Sequence, residues 1–240
     1  MRWLGSVDDL SSVEDFLPYR DRWELTEVRR YFARPSVPLS VSVLAEHADG
    51  DLLWREVSFA AGPAVEGIAT AVSPVSKSVT RGVVLAHGGC DDGRRFFMSE
   101  AAALAAQGAA VILPVIRIRQ DEGVDAFAAD IRNAVLIERA ALDVLVEAGA
   151  PPGALSFLGH SGGGALGGIL SAVEPRLTCI VIFGYGAGPL VRSAMAFGLS
   201  RGDEVMEDLA SHVDSCQRAH LAAGHRTGGM IGSSLTVVPR

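Results

Sequence analysis

The sequence predicts an α/β layered domain, and three features carry that expectation. Four short segments, residues 82–86, 109–114, 154–158 and 177–183, are nearly continuous in Val, Ile, Leu, Ala or Phe, the pattern of strands buried on both faces of a parallel sheet. The segments between them, 99–107, 125–148 and 163–173, are rich in Ala and Leu and long enough for crossover helices. Strand and helix alternate along the chain, as a parallel sheet covered on both faces requires.

The remaining elements follow in chain order. Residues 9–33 set Phe16, Trp23, Val28, Tyr31 and Phe32 among Glu and Arg, which suits one or two amphipathic helices ending before Pro35. We read residues 1–50 as an N-terminal extension that packs on the core, with a cap over the active site as the alternative. Leu52 to Ala60 and Val65 to Val72 read as a hairpin, with Ala61-Gly62-Pro63 as its turn. The main domain spans 51–240 and becomes atypical from about residue 191. There, residues 192–223 read as helical, and 233–240 as a short strand or a loose tail.

Composition narrows the function classes. At 240 residues the chain suits a single domain, and 49% hydrophobic against 20% charged residues marks it as globular. A net charge of -7 without any Lys/Arg cluster argues against nucleic acid as a partner, since that binding rests on neutralising phosphates. Cys90, Cys179 and Cys216 are odd in number and widely spaced, which fits neither a disulfide framework nor a metal site. Residues 1–9 carry acids where a secretory signal needs an apolar run. No stretch reaches the ~18 apolar residues of a membrane span. The expectation is a cytoplasmic protein with no cofactor, no metal and no membrane partner; the sequence does not set its oligomeric state.

The chemistry lies in Ala154-Leu155-Ser156-Phe157-Leu158-Gly159-His160-Ser161-Gly162-Gly163-Gly164. An apolar strand runs into Gly-x-Ser-x-Gly and then into a small-residue helix start. Such a turn projects the serine hydroxyl at the carboxyl edge of a sheet, and its flanking glycines let strand and helix approach closely. Ser161 is therefore the candidate nucleophile, and the Gly162 N–H faces the oxyanion that would form. A Gly-rich turn that merely contains serine satisfies the spacing too; the surrounding strand and helix favour the catalytic reading.

A second element supports it. Val83-Val84-Leu85-Ala86 runs into His87-Gly88-Gly89-Cys90. Acyl transfer needs two donors where the tetrahedral oxygen gains charge, and the backbone N–H of Gly89 or Cys90 is placed to be the second. His87 reads as a residue holding the loop, and Cys90 has no evident base that would make it a nucleophile. Phe96-Phe97-Met98 could line an acyl pocket or begin a core-facing helix.

With these parts in view, residues 52–190 resemble the α/β-hydrolase superfamily, nearest to its dienelactone hydrolase-like and acetyl xylan esterase-like members. The matching parts are the hairpin, the His87-Gly88-Gly89 loop, the helix around Asp130-Ile131-Arg132 and Leu142-Asp143-Val144-Leu145, and Gly159-His160-Ser161-Gly162-Gly163. The resemblance implies a mostly parallel central sheet with an N-terminal antiparallel hairpin and helices on both faces. It also implies serine hydrolase chemistry on a small carboxylic ester, in the chain order Ser, acid, His. Two departures stand out. Pro114 is followed by Val115, where many relatives have Pro-Asp, and the C-terminal part lacks a recognisable strand ending in Gly-x-x-Asp. The sheet is thus expected to be short by one or two strands.

Serine needs a histidine to accept its proton and a carboxylate to orient that histidine. After Ser161 the histidines are His212, His220 and His225, and Gly224-His225 resembles the Gly-His before the family's last helix, which puts His225 first. Among the acids, Glu174 precedes a buried strand at the far edge of the sheet. Asp203 follows a turn signal, Asp214 and Asp208 are its alternatives, and each also reads as a solvated helix charge. The rival function is a non-catalytic relative, a binding or scaffold protein whose C-terminal acid and base have degenerated.

Overall fold

The computed structural model describes residues 25–88, 92–119, 124–183, 227–230 and 233–239. The elements in chain order are α1 (Leu25–Tyr31), β1 (Val41–Asp49), β2 (Leu52–Gly62), β3 (Val65–Pro74), β4 (Arg81–Gly88), a 3-10 helix (Gly93–Phe97) running into α2 (Met98–Ala106), β5 (Ala109–Pro114), α3 (Val124–Glu147), β6 (Leu155–Ser161), α4 (Gly162–Val173), β7 (Leu177–Phe183), β8 (Thr227–Met230) and β9 (Ser233–Pro239).

The described strands form one mixed sheet in the order β1-β2-β3-β5-β4-β6-β7-β9-β8. The four apolar runs are its adjacent central strands, β5, β4, β6 and β7, all parallel. All six β5 residues are buried, as a strand covered on both faces must be. The flanks are antiparallel: β2 and β3 form the anticipated hairpin, its turn falling at residues 63–64, and β3 pairs antiparallel with β5.

Helices cover both faces. On one, α1, α3 and α4 enclose a core that includes Phe32, Phe59, Leu142, Phe157 and Leu166; on the other, the 3-10 helix and α2 enclose Trp54, Leu85, Phe97, Ala101 and Leu113. Burying side chains such as Leu142 or Phe157 stabilises by roughly 1.5–3 kcal/mol each. The two faces follow from strand periodicity, with Val84 and Ala86 turned to one core and Val83 and Leu85 to the other.

Two strands, β1 and β8, go beyond the sequence reading, and a third, β9, is the strand alternative read for 233–240. β1 is an edge strand, exposed along nearly its whole length, so residues 41–49 carry little of the burial signal that marks a strand. At the other edge, 233–239 resolves as the strand β9, antiparallel to β7, with β8 beyond it. The helical reading of 192–223 lies outside the described residues.

Of the amphipathic segment 9–33, residues 25–33 are described, and 25–31 form α1. Its closing carbonyls are capped from α3: Arg132 Nε donates to Tyr31 O at 3.0 Å and Arg139 Nη1 to Phe32 O at 2.7 Å. Arginines seven apart share one face of a helix, and cations suit a helix C-terminus. Arg29 Nε reaches Ala172 O at 3.1 Å. That carbonyl lies eleven residues along α4 from Ser161, roughly 16 Å away, so α1 packs at the end of α4 remote from the serine. No helix among the described residues is long and apolar enough to cross a membrane.

Candidate active site

Ser161 closes β6, and α4 begins at the next residue. Its backbone is at φ 54°, ψ -126°, and among the described residues it is the one non-glycine with positive φ. Holding an L-residue there costs of order 1–3 kcal/mol and persists only where the surroundings impose it. Here the glycines impose it. A Cβ on Gly159 would collide with the Gly163 carbonyl, and a Cβ on Gly163 with the Ala86 carbonyl on β4. Strand and helix therefore meet backbone to backbone, and the chain must reverse sharply at Ser161. The serine is half-buried at the carboxyl edge of the parallel strands.

The neighbouring strand β4 ends beside it. The register pairs His87 with His160 and Gly88 with Ser161, so the His87-Gly88 strand end lies alongside the serine turn. Gly162, which follows Ser161, heads α4. Gly89 and Cys90 lie outside the described residues, as do His225, Asp203, His212, His220, Asp208 and Asp214.

Below the turn sits an aromatic cluster on the α2 face. The His87 and His160 rings are 5.2 Å apart at 28°, and Phe96 lies 4.7 Å from His160 at 6° and 4.5 Å from His87. Phe97 meets Phe96 edge-on at 4.8 Å. Burial holds both imidazoles below the usual histidine range, and the adjoining His160 adds to the effect at His87. His87 Nδ1 is buried without a hydrogen-bond partner among the described residues. The residues of the Phe96-Phe97-Met98 segment differ in burial. Phe97 is core, whereas Phe96 keeps 48% of its surface exposed over the histidine pair.

The sequence reading gave His160 no role beyond its place in the motif. The signal was available: His-Gly ends one apolar strand and His-Ser ends the next, and in-register parallel strands bring such residues together.

Glu174 sits at the opposite edge of the sheet. It is buried and paired with Arg139 at 3.1 Å and Arg176 at 2.8 Å, and Arg176 also bonds Asp143, as does Arg34. Its role there is structural, tying α3, α4 and the chain after α1. Among the described residues no group of three or more His, Cys, Asp or Glu side chains could hold a metal ion.

No protein-family model and no curated protein matches the chain. Solved structures do. The α/β fold of this chain is shared with solved esterases. Acetyl xylan esterase 1 from Thermoanaerobacterium sp. JW/SL YS485 superposes with a TM-score of 0.62 at 13% identity, covering 85% of this chain and 78% of that one. The acetyl xylan esterase from Paenibacillus sp. R4 gives 0.56 at 13% identity, covering 85% and 79%. Methylesterase BT1017 gives 0.52 at 16%, covering 72% and 42%. At such identities the likeness is one of fold.

Proposed function

We propose that this protein is a serine hydrolase of small carboxylic esters, with Ser161 as nucleophile. One observation carries the reading: Ser161 is held at positive φ on a strand-to-helix turn, beside the end of β4. A backbone of this kind is costly, and a sharp turn presenting a serine is the arrangement that acyl transfer uses. The fold shared with esterases supports it.

In this reaction Ser161 Oγ bonds to the ester carbonyl carbon, and the C=O electron pair moves onto oxygen. The Gly162 N–H and a backbone N–H at Gly89 or Cys90 hold that oxyanion, each such donor lowering the barrier by about 3 kcal/mol. The serine proton passes to His225, which Asp203 orients, and then to the departing alcohol as the tetrahedral species collapses. Water repeats the sequence on the acyl-enzyme, releasing the carboxylic acid and restoring Ser161.

The test is labelling with a fluorophosphonate probe and peptide mapping, beside p-nitrophenyl acetate turnover by wild type, Ser161→Ala and single alanine variants of His225, His212 and His220. The reading expects label on Ser161, no turnover by Ser161→Ala, and a loss of orders of magnitude in His225→Ala alone among the histidines. Absence of both label and turnover in the wild type would establish the non-catalytic alternative.

A further inference from the structure

Phe96 is an exposed ring on a well-anchored support. It belongs to the 3-10 helix Gly93–Phe97, where three residues make a turn, so neighbouring side chains point about 120° apart. Phe97 enters the core, and Phe96 is turned outward. A lone exposed hydrophobic side chain is ordinary, but the place of this one is not. Of the five large hydrophobic residues exposed among the described residues, Val43 and Leu44 lie on β1, Ile68 on β3 and Val75 just past it, three or more strand positions from β6. Phe96 is the one aromatic in that set. Its ring lies flat on His160, the residue before Ser161, at 4.7 Å and 6°. It therefore stacks on the side chain adjoining the candidate nucleophile.

The support is fixed from two directions. From β4, His87 backs the ring at 4.5 Å, and a Cβ on Gly93 would collide with the His87 carbonyl, so the 3-10 helix is pressed onto the strand end. From the hairpin, Arg94 anchors the same helix: its Nη1 donates to Glu56 Oε2 at 2.5 Å and to Thr70 Oγ1 at 3.0 Å. Asp92 caps the helix by accepting from the Arg94 backbone N–H at 3.2 Å. A ring held in this way loses little freedom when a second flat group covers it, which is what preorganisation contributes to binding.

The surface around the ring is apolar at neutral pH, since both neighbouring imidazoles are held below the usual histidine range. An aromatic face of this kind is best met by another ring, offset-stacked or edge-on. A small aliphatic group covers little of it.

We propose that Phe96 is a specificity-determining residue, its exposed ring receiving a flat aromatic group of the ester and so favouring aryl-bearing esters over purely aliphatic ones. The proposal rests on the hydrolase reading above and names a substrate class for it. Phe96 meets the substrate away from the reacting atoms; its effect is on selection. The aromatic group belongs to the acyl or to the alcohol side of the carbonyl, and two arms of the test separate these.

The full-length chain is assayed as wild type, Phe96→Ala, Phe96→Leu and Phe96→Trp. The esters are ethyl acetate, phenyl acetate with its ring on the alcohol side, and ethyl benzoate with its ring on the acyl side. Fluorophosphonate labelling and melting temperatures are measured in parallel. Each variant is compared with wild type on the same ester, so differences in intrinsic reactivity cancel. Phe96→Ala is expected to lower kcat/KM for one or both ring-bearing esters by roughly 10-fold more than for ethyl acetate. The ester that loses most identifies the side that carries the ring. Phe96→Leu, apolar but not flat, should show the same selective loss, which keeps the test decisive if Phe96→Ala does not fold. Phe96→Trp should keep the wild-type preference. Equal effects on all three esters in a folded variant, or a preference retained no better by tryptophan than by leucine, overturns the specificity role while the hydrolase reading stands. So does a wild type that labels at Ser161 but turns over neither ring-bearing ester. A wild type that neither turns over ester nor labels at Ser161 overturns both.

Discussion

His87 and His160 occupy partnered positions on neighbouring parallel strands, with their rings stacked 5.2 Å apart beneath the serine turn. Burial lowers both pKa values, so the folded state holds fewer protons than the unfolded chain near the ordinary histidine value. A depressed pKa contributes stability that is full above about 6.5 and is lost as pH falls toward the folded values. The melting temperature should therefore drop on acidification from pH 7 to pH 5. His87→Gln should flatten that slope. Thermal denaturation at fixed ionic strength checks it; an unchanged slope in His87→Gln would show that other groups set the acid limb.

Ser161 carries the backbone strain of the site, and its relief is measurable. Glycine adopts positive φ freely, so Ser161→Gly should stabilise by about 1 kcal/mol, or roughly 2–4 °C in melting temperature. It should also abolish ester turnover. Lower stability in Ser161→Gly would mean that the hydroxyl contributes more to the fold than the turn costs.

Gly163 offers the reverse experiment. A Cβ there meets the Ala86 backbone carbonyl, which has no rotamer to change, whereas a Cβ on Gly153 would meet nothing within 4 Å. Gly163→Ala should destabilise by about 3 kcal/mol or more, against a small effect for Gly153→Ala. Chemical denaturation of the pair measures the difference directly.

Glu138 lies on the sheet-facing stripe of α3 with Val135, Ala141 and Leu142, wholly buried, and neither carboxyl oxygen has a partner among the described residues. Burial pushes its pKa well above the usual carboxylate range. A raised pKa gives stability that is present below the unfolded value, near 4.3, and is lost as pH rises toward the folded one. Glu138→Leu should accordingly stabilise at neutral pH by at least ~1 kcal/mol, and by more at pH 8 than at pH 5. Melting curves at the two pH values decide it; a larger gain at pH 5 would reverse the assignment.

The legible parts of this molecule were those where one local rule dominates. Continuous apolar runs located β5 and β7 to the residue; in β5, buried at all six positions, no polar residue interrupts the pattern. The Gly159-x-Ser161-x-Gly163 spacing was legible because backbone contact excludes every larger residue. The edge strand β1 was not, since exposure erases its periodicity. Nor was the Arg94–Glu56 link, whose partners lie 38 residues apart and meet only once the sheet order β3-β5-β4 is known. Sequence spacing cannot report a crossover of that kind.

The backbone contact between Gly163 and Ala86 bears on how such a site diversifies. Side chains at most active sites can be exchanged to widen or narrow an opening, but here helix and strand are separated by carbonyl and α-carbon alone. The distance from the head of α4 to β4 is thus a constant of the scaffold, out of reach of substitution. On the hydrolase reading proposed above, retuning toward bulkier or flatter acyl groups would fall instead to exchangeable side chains nearby, of which Phe96, half exposed over the histidine pair, is one.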